Sequence, residues 1–378
     1  MITVEKVLTR KQRKEFIDFP LNLYKGNPCF TPPLYMDERK IFKKNYVYND
    51  ICEAVHFNAY KDGVMAGRIS GIIQNASNEK TGEKQVRFTR FDVIEDQEVA
   101  RALFQAVEDW AVEKGMEKMV GPLGFSDLER EGLLISGFDI PATFEESYNH
   151  PYYQTFIENL GYQKEVDWTG SFLRVPKDYD GEIDKMADFV MKRYHLHLGT
   201  ARNTNEFIKK YADGIFELID KSYDLLYGTV PFTEGMKKIM IDNFRMVVNM
   251  DNVSVILDEN DNMIGFGICF PAIGDAVRPS QGRLTPLALI RLLKAIKKPT
   301  VVDLGLIGVD PKWLNRGVSI IVSSCLIKIL QREEVLYADT NLNLEENYAI
   351  QNQWKRFDEQ KVKLYRCFGK KLEDRRQK

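Results

Sequence analysis

Gly67 and Gly265 stand 198 residues apart, and Asn149 and Asn347 stand at the same separation. Each glycine lies in the second arm of a strand–turn–strand unit. In the first, Val55, Phe57 and Ala59 alternate with polar neighbours, Lys61-Asp62-Gly63 turns the chain, and Met65–Ile73 returns. In the second, Val253–Leu257 leads through Asp258–Asn262 into Met263–Phe270. Each asparagine precedes a short helical stretch and a last strand. A shared offset at two separated points constrains the chain to two similar halves. The alternative is two unrelated α/β halves that both contain hairpins. At ~100–200 residues per domain, 378 residues suit two domains, each able to bury its own core. The expected division is 1–178 and 200–378, with 179–199 as a linker.

Between these landmarks the pattern alternates strands and helices. Residues 1–50 are rich in proline and aromatics and read as a lead-in with a short helix near Lys11–Phe16. Val86, Phe88, Phe91 and Val93 mark a strand. The run 97–114 places Val99, Leu103, Val107 and Trp110 on one helical face, and Gly115 ends it. The stretch 121–147, with Gly121, Gly124, Gly132 and Gly137, is too long for a plain connection and reads as a structured loop over a cleft. In the second half, helices are expected near 204–227, 233–249, 286–298, 316–331 and 346–357. Val301–Val309 is a nearly continuous apolar run, as a buried central strand should be. Helices between mixed strands point to an α/β architecture in each half.

Composition narrows the function classes. Lys and Arg number 53 against 55 Asp and Glu, a net charge of −2 that gives no electrostatic case for nucleic acid. Cys29, Cys52, Cys269, Cys325 and Cys367 are scattered, which fits reduced thiols. The four histidines have no ligand spacing, so no metal site is expected. Charges enter at Glu5 and Lys6 before any apolar run forms, and no stretch nears the ~18–20 apolar residues of a membrane span. The expectation is a cytoplasmic chain without nucleic-acid or membrane partners.

The segment with the most chemical content runs from Leu306 through Gly308, Val309, Asp310 and Pro311 to Asn315, Arg316, Gly317, Val318 and Ser319. An apolar strand passes through a proline-marked loop into a buried helix. The first N–H groups of a helix have no intrahelical partner and sit at the positive end of its dipole, so the place suits a phosphate. Gly317 would let the backbone approach a ligand closely, and Arg316 adds charge. An ordinary helix start with an asparagine cap is the other reading.

This run resembles the pyrophosphate loop of the GNAT acyltransferase superfamily, written (Gln/Arg)-x-x-Gly-x-(Gly/Ala) between a strand and a helix. Leu314 replaces Gln or Arg, Gly317 matches, and Ser319 stands for Gly or Ala. Asn347 heads the next helix, as the superfamily's asparagine does. From about residue 20 to 370 the chain resembles bacterial proteins with two such halves, in segments such as Tyr148-Asn149-His150-Pro151-Tyr152-Tyr153 and Gly308-Val309-Asp310-Pro311. The resemblance implies two tandem GNAT-like domains, each a mixed, largely antiparallel sheet flanked by helices. It implies acetyl-CoA or another acyl-CoA as co-substrate and a small-molecule or peptide amine as acceptor. Ile307, Gly308 and Val309 would meet the pantetheine arm, Asn315, Arg316, Gly317, Val318, Ser319 and Ile320 would wrap the pyrophosphate, and Asn347 would contact the cofactor.

Two departures matter. Trp354 stands seven residues after Asn347, where the superfamily's tyrosine usually protonates the leaving thiolate, and an indole is no acid at neutral pH. Asp303 is the candidate general base, with a water-facing position near the strand's start as the alternative. The first half's equivalent segment, Val93 to Val99, has no glycine, and Glu95, Asp96 and Glu98 would repel a pyrophosphate. These departures favour a second reading, a catalytically inactive GNAT-like protein that binds acyl-CoA or a protein partner. A dinucleotide-binding oxidoreductase is set aside because no G-x-G-x-x-G follows a strand. Arg291, Lys294, Lys297 and Lys298 suit a solvated helix face, with an anionic surface or the cofactor's phosphates as the alternative.

Overall fold

The computed structural model describes residues 1–224 and 226–373. The first half of the chain runs β1 (Ile2–Lys6), α1 (Arg10–Leu23), α2 (Tyr35–Lys40), β2 (Cys52–Lys61), β3 (Val64–Gln74), α3 (Asn75–Thr81), β4 (Gln85–Val93), α4 (Gln97–Glu113), β5 (Lys118–Gly121), β6 (Leu133–Ser136), α5 (Tyr152–Asn159) and β7 (Gln163–Arg174). Then the pattern repeats. The second half runs α6 (Glu182–Arg193), β8 (His197–Leu198), α7 (Thr204–Tyr223), α8 (Glu234–Val247), β9 (Val253–Leu257), β10 (Met263–Pro271), α9 (Gly274–Val277), α10 (Pro286–Lys297), β11 (Val301–Val309), α11 (Val318–Leu330), β12 (Tyr337–Asp339), β13 (Asn343–Leu344), α12 (Tyr348–Trp354) and β14 (Asp358–Lys371).

Two compact units result. Unit 1 comprises Met1–Thr169, Val277–Ala288 and the segment from Lys363 onward; unit 2 comprises Gly170–Ala276 and Leu289–Val362. In unit 1 the strand order is β1-β2-β3-β4-β5-β14, antiparallel except that β4 and β5 run parallel. Unit 2 orders its strands β8-β9-β10-β11-β12-β7, and here β11 and β12 are the parallel pair. The two orders match strand for strand. In each unit the sixth strand comes from the other half of the chain: β7 ends beside β12, and β14 ends beside β5.

The paired glycines show why the halves share this plan. A Cβ on Gly67 would lie 2.8 Å from the Leu103 side chain of α4, and one on Gly265 would lie 3.2 Å from Val318 of α11. Gly71, four residues on, and Gly267, two residues on, repeat the relation with Val107 and Val322, one helical turn further along. Glycine on the central hairpin therefore lets the helix after the parallel strand pack close to the sheet in both units. Val99, Leu103 and Val107 are fully buried on α4, and each contributes about 1.5–3 kcal/mol by leaving water. On α11 nearly every side chain is covered, because α6 packs beside it, with Ala187 and Val190 in one cluster with Val318, Ile321 and Val322.

Several boundaries differ from the sequence expectation. The lead-in contains β1, which pairs with β2 from Ile2↔Lys61 to Lys6↔Phe57, and α1 is 14 residues long. A capping box of Thr9 and Gln12 starts α1. The glycine-rich stretch 121–147 is tied down by β6, which pairs with β14, and by the buried Lys363–Glu146 ion pair. β12 is only three residues long, which matters for the site below.

Candidate active site

β11 spans nine residues, but β12 pairs only with Val301, Val302 and Asp303, through Tyr337, Ala338 and Asp339. Among the described residues no strand lies beside β11 on that side from Leu304 onward. On the other side β10 follows β11 as far as Gly265↔Val309, with one irregularity between Ile268 and Cys269 that leaves Gly305 unpaired. An extra residue of this kind bends a strand. A side chain at Gly305 would sit 2.3 Å from the Phe270 ring, so the bulge accepts glycine only.

Side chains meet the backbone groups that no strand takes. The Asn341 amide donates to the Leu304 carbonyl at 2.8 Å. The Tyr223 hydroxyl, at the end of α7, donates to the Ile307 carbonyl at 3.0 Å and receives the Ile307 N–H at 3.3 Å. The Ser222 hydroxyl donates to the Val309 carbonyl at 3.2 Å. Sequence reasoning named Ile307 and Val309 but missed Ser222, Tyr223 and Asn341, because nothing in their local pattern marks partners 87, 84 and 37 residues away.

Beyond β11, Asp310 accepts the Lys312 N–H and opens a 3₁₀ turn over Pro311–Arg316. Asn315 therefore lies inside that turn and caps nothing, which removes the asparagine-cap reading. Gly317 caps α11 with φ +81°; its carbonyl accepts the Ile320 N–H at 2.9 Å, and among the described residues no side chain caps the helix. The remaining first N–H groups and the positive end of the dipole together make an anion site available. Asn315 and Arg316 are exposed, Arg316 lies 4.6 Å over the Trp313 ring, and Ser319 and Ile320 are half-buried. Gly317 also has a reason within the fold itself: a Cβ there would sit 3.1 Å from Val190 of α6 and strain a left-handed backbone.

The remaining candidates divide. Asp303 is 4% exposed, at the point where β12 leaves β11, so the water-facing alternative does not hold. Asn347 caps α12 by accepting the Ile350 N–H at 3.2 Å. Trp354 is a core side chain whose indole N–H donates to Asn343 at 3.2 Å. Burial pushes the neighbouring Cys269 thiol up to about 12, which makes it inert as a nucleophile at neutral pH. In unit 1 the corresponding helix start is closed by its own side chain: Asp96 accepts the Glu98 and Val99 N–H groups and pairs with Lys61 at 2.6 Å.

No family model matches the chain. Protein YghO of Escherichia coli (strain K12) is 27% identical over 376 residues, covering 98% of this chain and 95% of its own. A bacterial ceramide synthase of Caulobacter vibrioides is 27% identical over 319 residues, covering 82% and 81%. Among solved structures, a tandem GNAT protein from the clavulanic acid biosynthesis pathway superposes over 99% of both chains with a TM-score of 0.57 at 11% identity. The chain has a tandem GNAT fold. A GCN5-related glucosamine N-acetyltransferase region of a fungal multi-domain protein gives a TM-score of 0.56 at 12% identity over 98% of this chain and 38% of that one.

At these identities the likeness carries the fold, and the two GNAT units must be compared on their own geometry. Unit 2 combines a parted strand pair with a helix start that no side chain closes. In unit 1 the glycine loop is missing, and Asp96 occupies the helix amides.

Proposed function

We propose that unit 2 is an N-acyltransferase site that uses acyl-CoA, acetyl-CoA in the simplest case, and acylates an amine. The observation that carries the reading is the early end of β12: among the described residues it leaves the edge of β11 from Leu304 to Val309 without a strand, directly before the start of α11, which no side chain caps. An extended pantetheine arm adds to such an edge as a short strand would, through Ile307 and Val309. The pyrophosphate then lies at Asn315–Ile320, with Arg316 as the nearby cation. Asn347 has a capping bond already and enters this reading only as a neighbour of the cofactor.

In the transfer the amine nitrogen attacks the thioester carbonyl, the C–N bond forms, and the C–S bond breaks. One proton leaves the amine and one is taken up by the thiolate. Asp303, buried at the fork of the two strands, is the assigned base. Trp354 cannot supply the second proton, but a thiol with a pKa near ~8.5 leaves readily enough that solvent can protonate it. One relative is a ceramide synthase, so a lipid amine belongs beside small-molecule and peptide amines in the acceptor panel.

The second reading, a binding protein without turnover, is favoured by the buried Trp354 and by the hydroxyls already bonded to the β11 edge. Release of free coenzyme A thiol, followed colorimetrically across acyl-CoA chain lengths and the three amine classes, separates the two. Amine-dependent thiol release supports the transferase. Saturable acyl-CoA binding with no release in any combination supports the binding protein.

A further inference from the structure

Helix α10 exposes apolar side chains where a solvated helix should be polar. Leu289 is 43% exposed, Ile290 63% and Leu293 66%, while Leu292, Ala295 and Ile296 turn inward and are half-buried. At helical spacing, Ile290, Leu293, Lys294 and Lys297 share one side. The helix carries no acidic residue between Pro286 and Lys297, and Lys298 follows it directly. Among the described residues, Arg291, Lys294, Lys297 and Lys298 make no ion pair. The exposed face is thus apolar toward its N-terminal end and cationic toward its C-terminal end, with no ion pair among the described residues to answer it.

We propose that α10 lies in the surface of an anionic lipid bilayer, with Leu289, Ile290 and Leu293 among the acyl chains and the lysines at the headgroups. A helix that presents leucines together with unpaired lysines matches what the interface of such a bilayer offers, an apolar layer beneath negative charge. Free water offers no match to the leucines, and a neutral surface offers none to the lysines. Contact is peripheral: among the described residues no helix is long and apolar enough to cross a membrane. The lysines are exposed, as the sequence reading of a solvated face expects; the anionic surface was its alternative, and charge spacing alone does not reveal which apolar side chains the fold leaves uncovered. The inference stands apart from the acyl-CoA reading, and either can fail alone.

The test is cosedimentation of the full chain with vesicles of phosphatidylethanolamine and phosphatidylglycerol, beside vesicles of phosphatidylcholine alone. Binding is expected to the anionic vesicles and to weaken with added salt. Leu289→Gln/Ile290→Gln/Leu293→Gln and, separately, Lys294→Glu/Lys297→Glu should each lower partitioning by roughly tenfold or more. Because all five side chains are exposed, both variants should keep the wild-type melting temperature. No binding to anionic vesicles, or binding that both variants retain, overturns the proposal. So does a wild-type dimer in analytical ultracentrifugation that the glutamine variant dissociates, since a second copy of the chain would then be what covers the leucines.

Discussion

The Tyr223 hydroxyl holds both the carbonyl and the N–H of Ile307, at 3.0 Å and 3.3 Å, and so occupies the backbone pair to which the proposed pantetheine arm would bond. Ligand and tyrosine therefore compete. Removing the hydroxyl leaves Ile307 free to pair with the ligand, and two neutral hydrogen bonds are worth about 0.5–1.5 kcal/mol each. Together that is about 1–3 kcal/mol, so Tyr223→Phe is expected to tighten acyl-CoA binding by about 5- to 150-fold in a calorimetric titration. Weaker binding would mean that the tyrosine holds the ligand.

Substituting Gly317 is a poor test of the phosphate site, because any side chain there meets Val190 and a left-handed backbone. Ser319, the second residue of α11 and half-buried, avoids both problems. A carboxylate in the first turn of a helix suits its dipole and adds about 0.3–1 kcal/mol. Ser319→Asp is therefore expected to melt at or slightly above the wild-type temperature without ligand. A marked drop would show that the helix start is more tightly enclosed than its geometry indicates.

Asp303 is assigned as the base, and its amide analogue keeps nearly the same shape. Loss of a general base typically costs about 10²–10⁴-fold in rate. Asp303→Asn should lower amine-dependent kcat by that factor, leave the acyl-CoA dissociation constant unchanged, and abolish the acid limb of the pH–rate profile. A parallel loss of acyl-CoA affinity would make Asp303 a structural residue.

In unit 1, burial, reinforced by Arg90 and opposed by Glu38, brings His56 down to about 3 from 6.5. Its ring accepts or donates one hydrogen bond at Nδ1, to the Ser70 hydroxyl at 2.7 Å. The folded chain keeps this imidazole neutral while the unfolded chain protonates it below pH 6.5. The stability His56 contributes is therefore complete above pH 6.5 and lost as pH falls toward 3. Between pH 6.5 and 5 the melting temperature of His56→Gln should fall less steeply than that of the wild type. Equal slopes would place the acid sensitivity elsewhere.

Much of this fold was legible in the chain itself. The 198-residue offset of Gly67 and Gly265 marked equivalent positions in the two units, and alternating or helical periodicity located both hairpins, α4, α11 and β11. Periodicity records which face of an element is covered but not what covers it. The exchange of β7 and β14, the pairing of β1 with β2, and the approach of Tyr223 to Ile307 all join residues far apart in sequence. The early end of β12 was invisible for the same reason, since the sequence reads as one strand over 334–340 and the parting from β11 is a property of the pair. At the helix start, Asn315 looked like a cap because the 3₁₀ turn that carries it past that position has no strong sequence signature.

The most direct test of the transferase site is the melting temperature of the full chain across a series from acetyl-CoA to palmitoyl-CoA, measured beside Ser319→Asp. A ligand at ~100 times its dissociation constant adds roughly 2.7 kcal/mol of stability. The expected result is a saturable rise in the wild type with at least one acyl-CoA and no rise in Ser319→Asp. No rise with any acyl-CoA, or the same rise in both proteins, would contradict an acyl-CoA site at the start of α11.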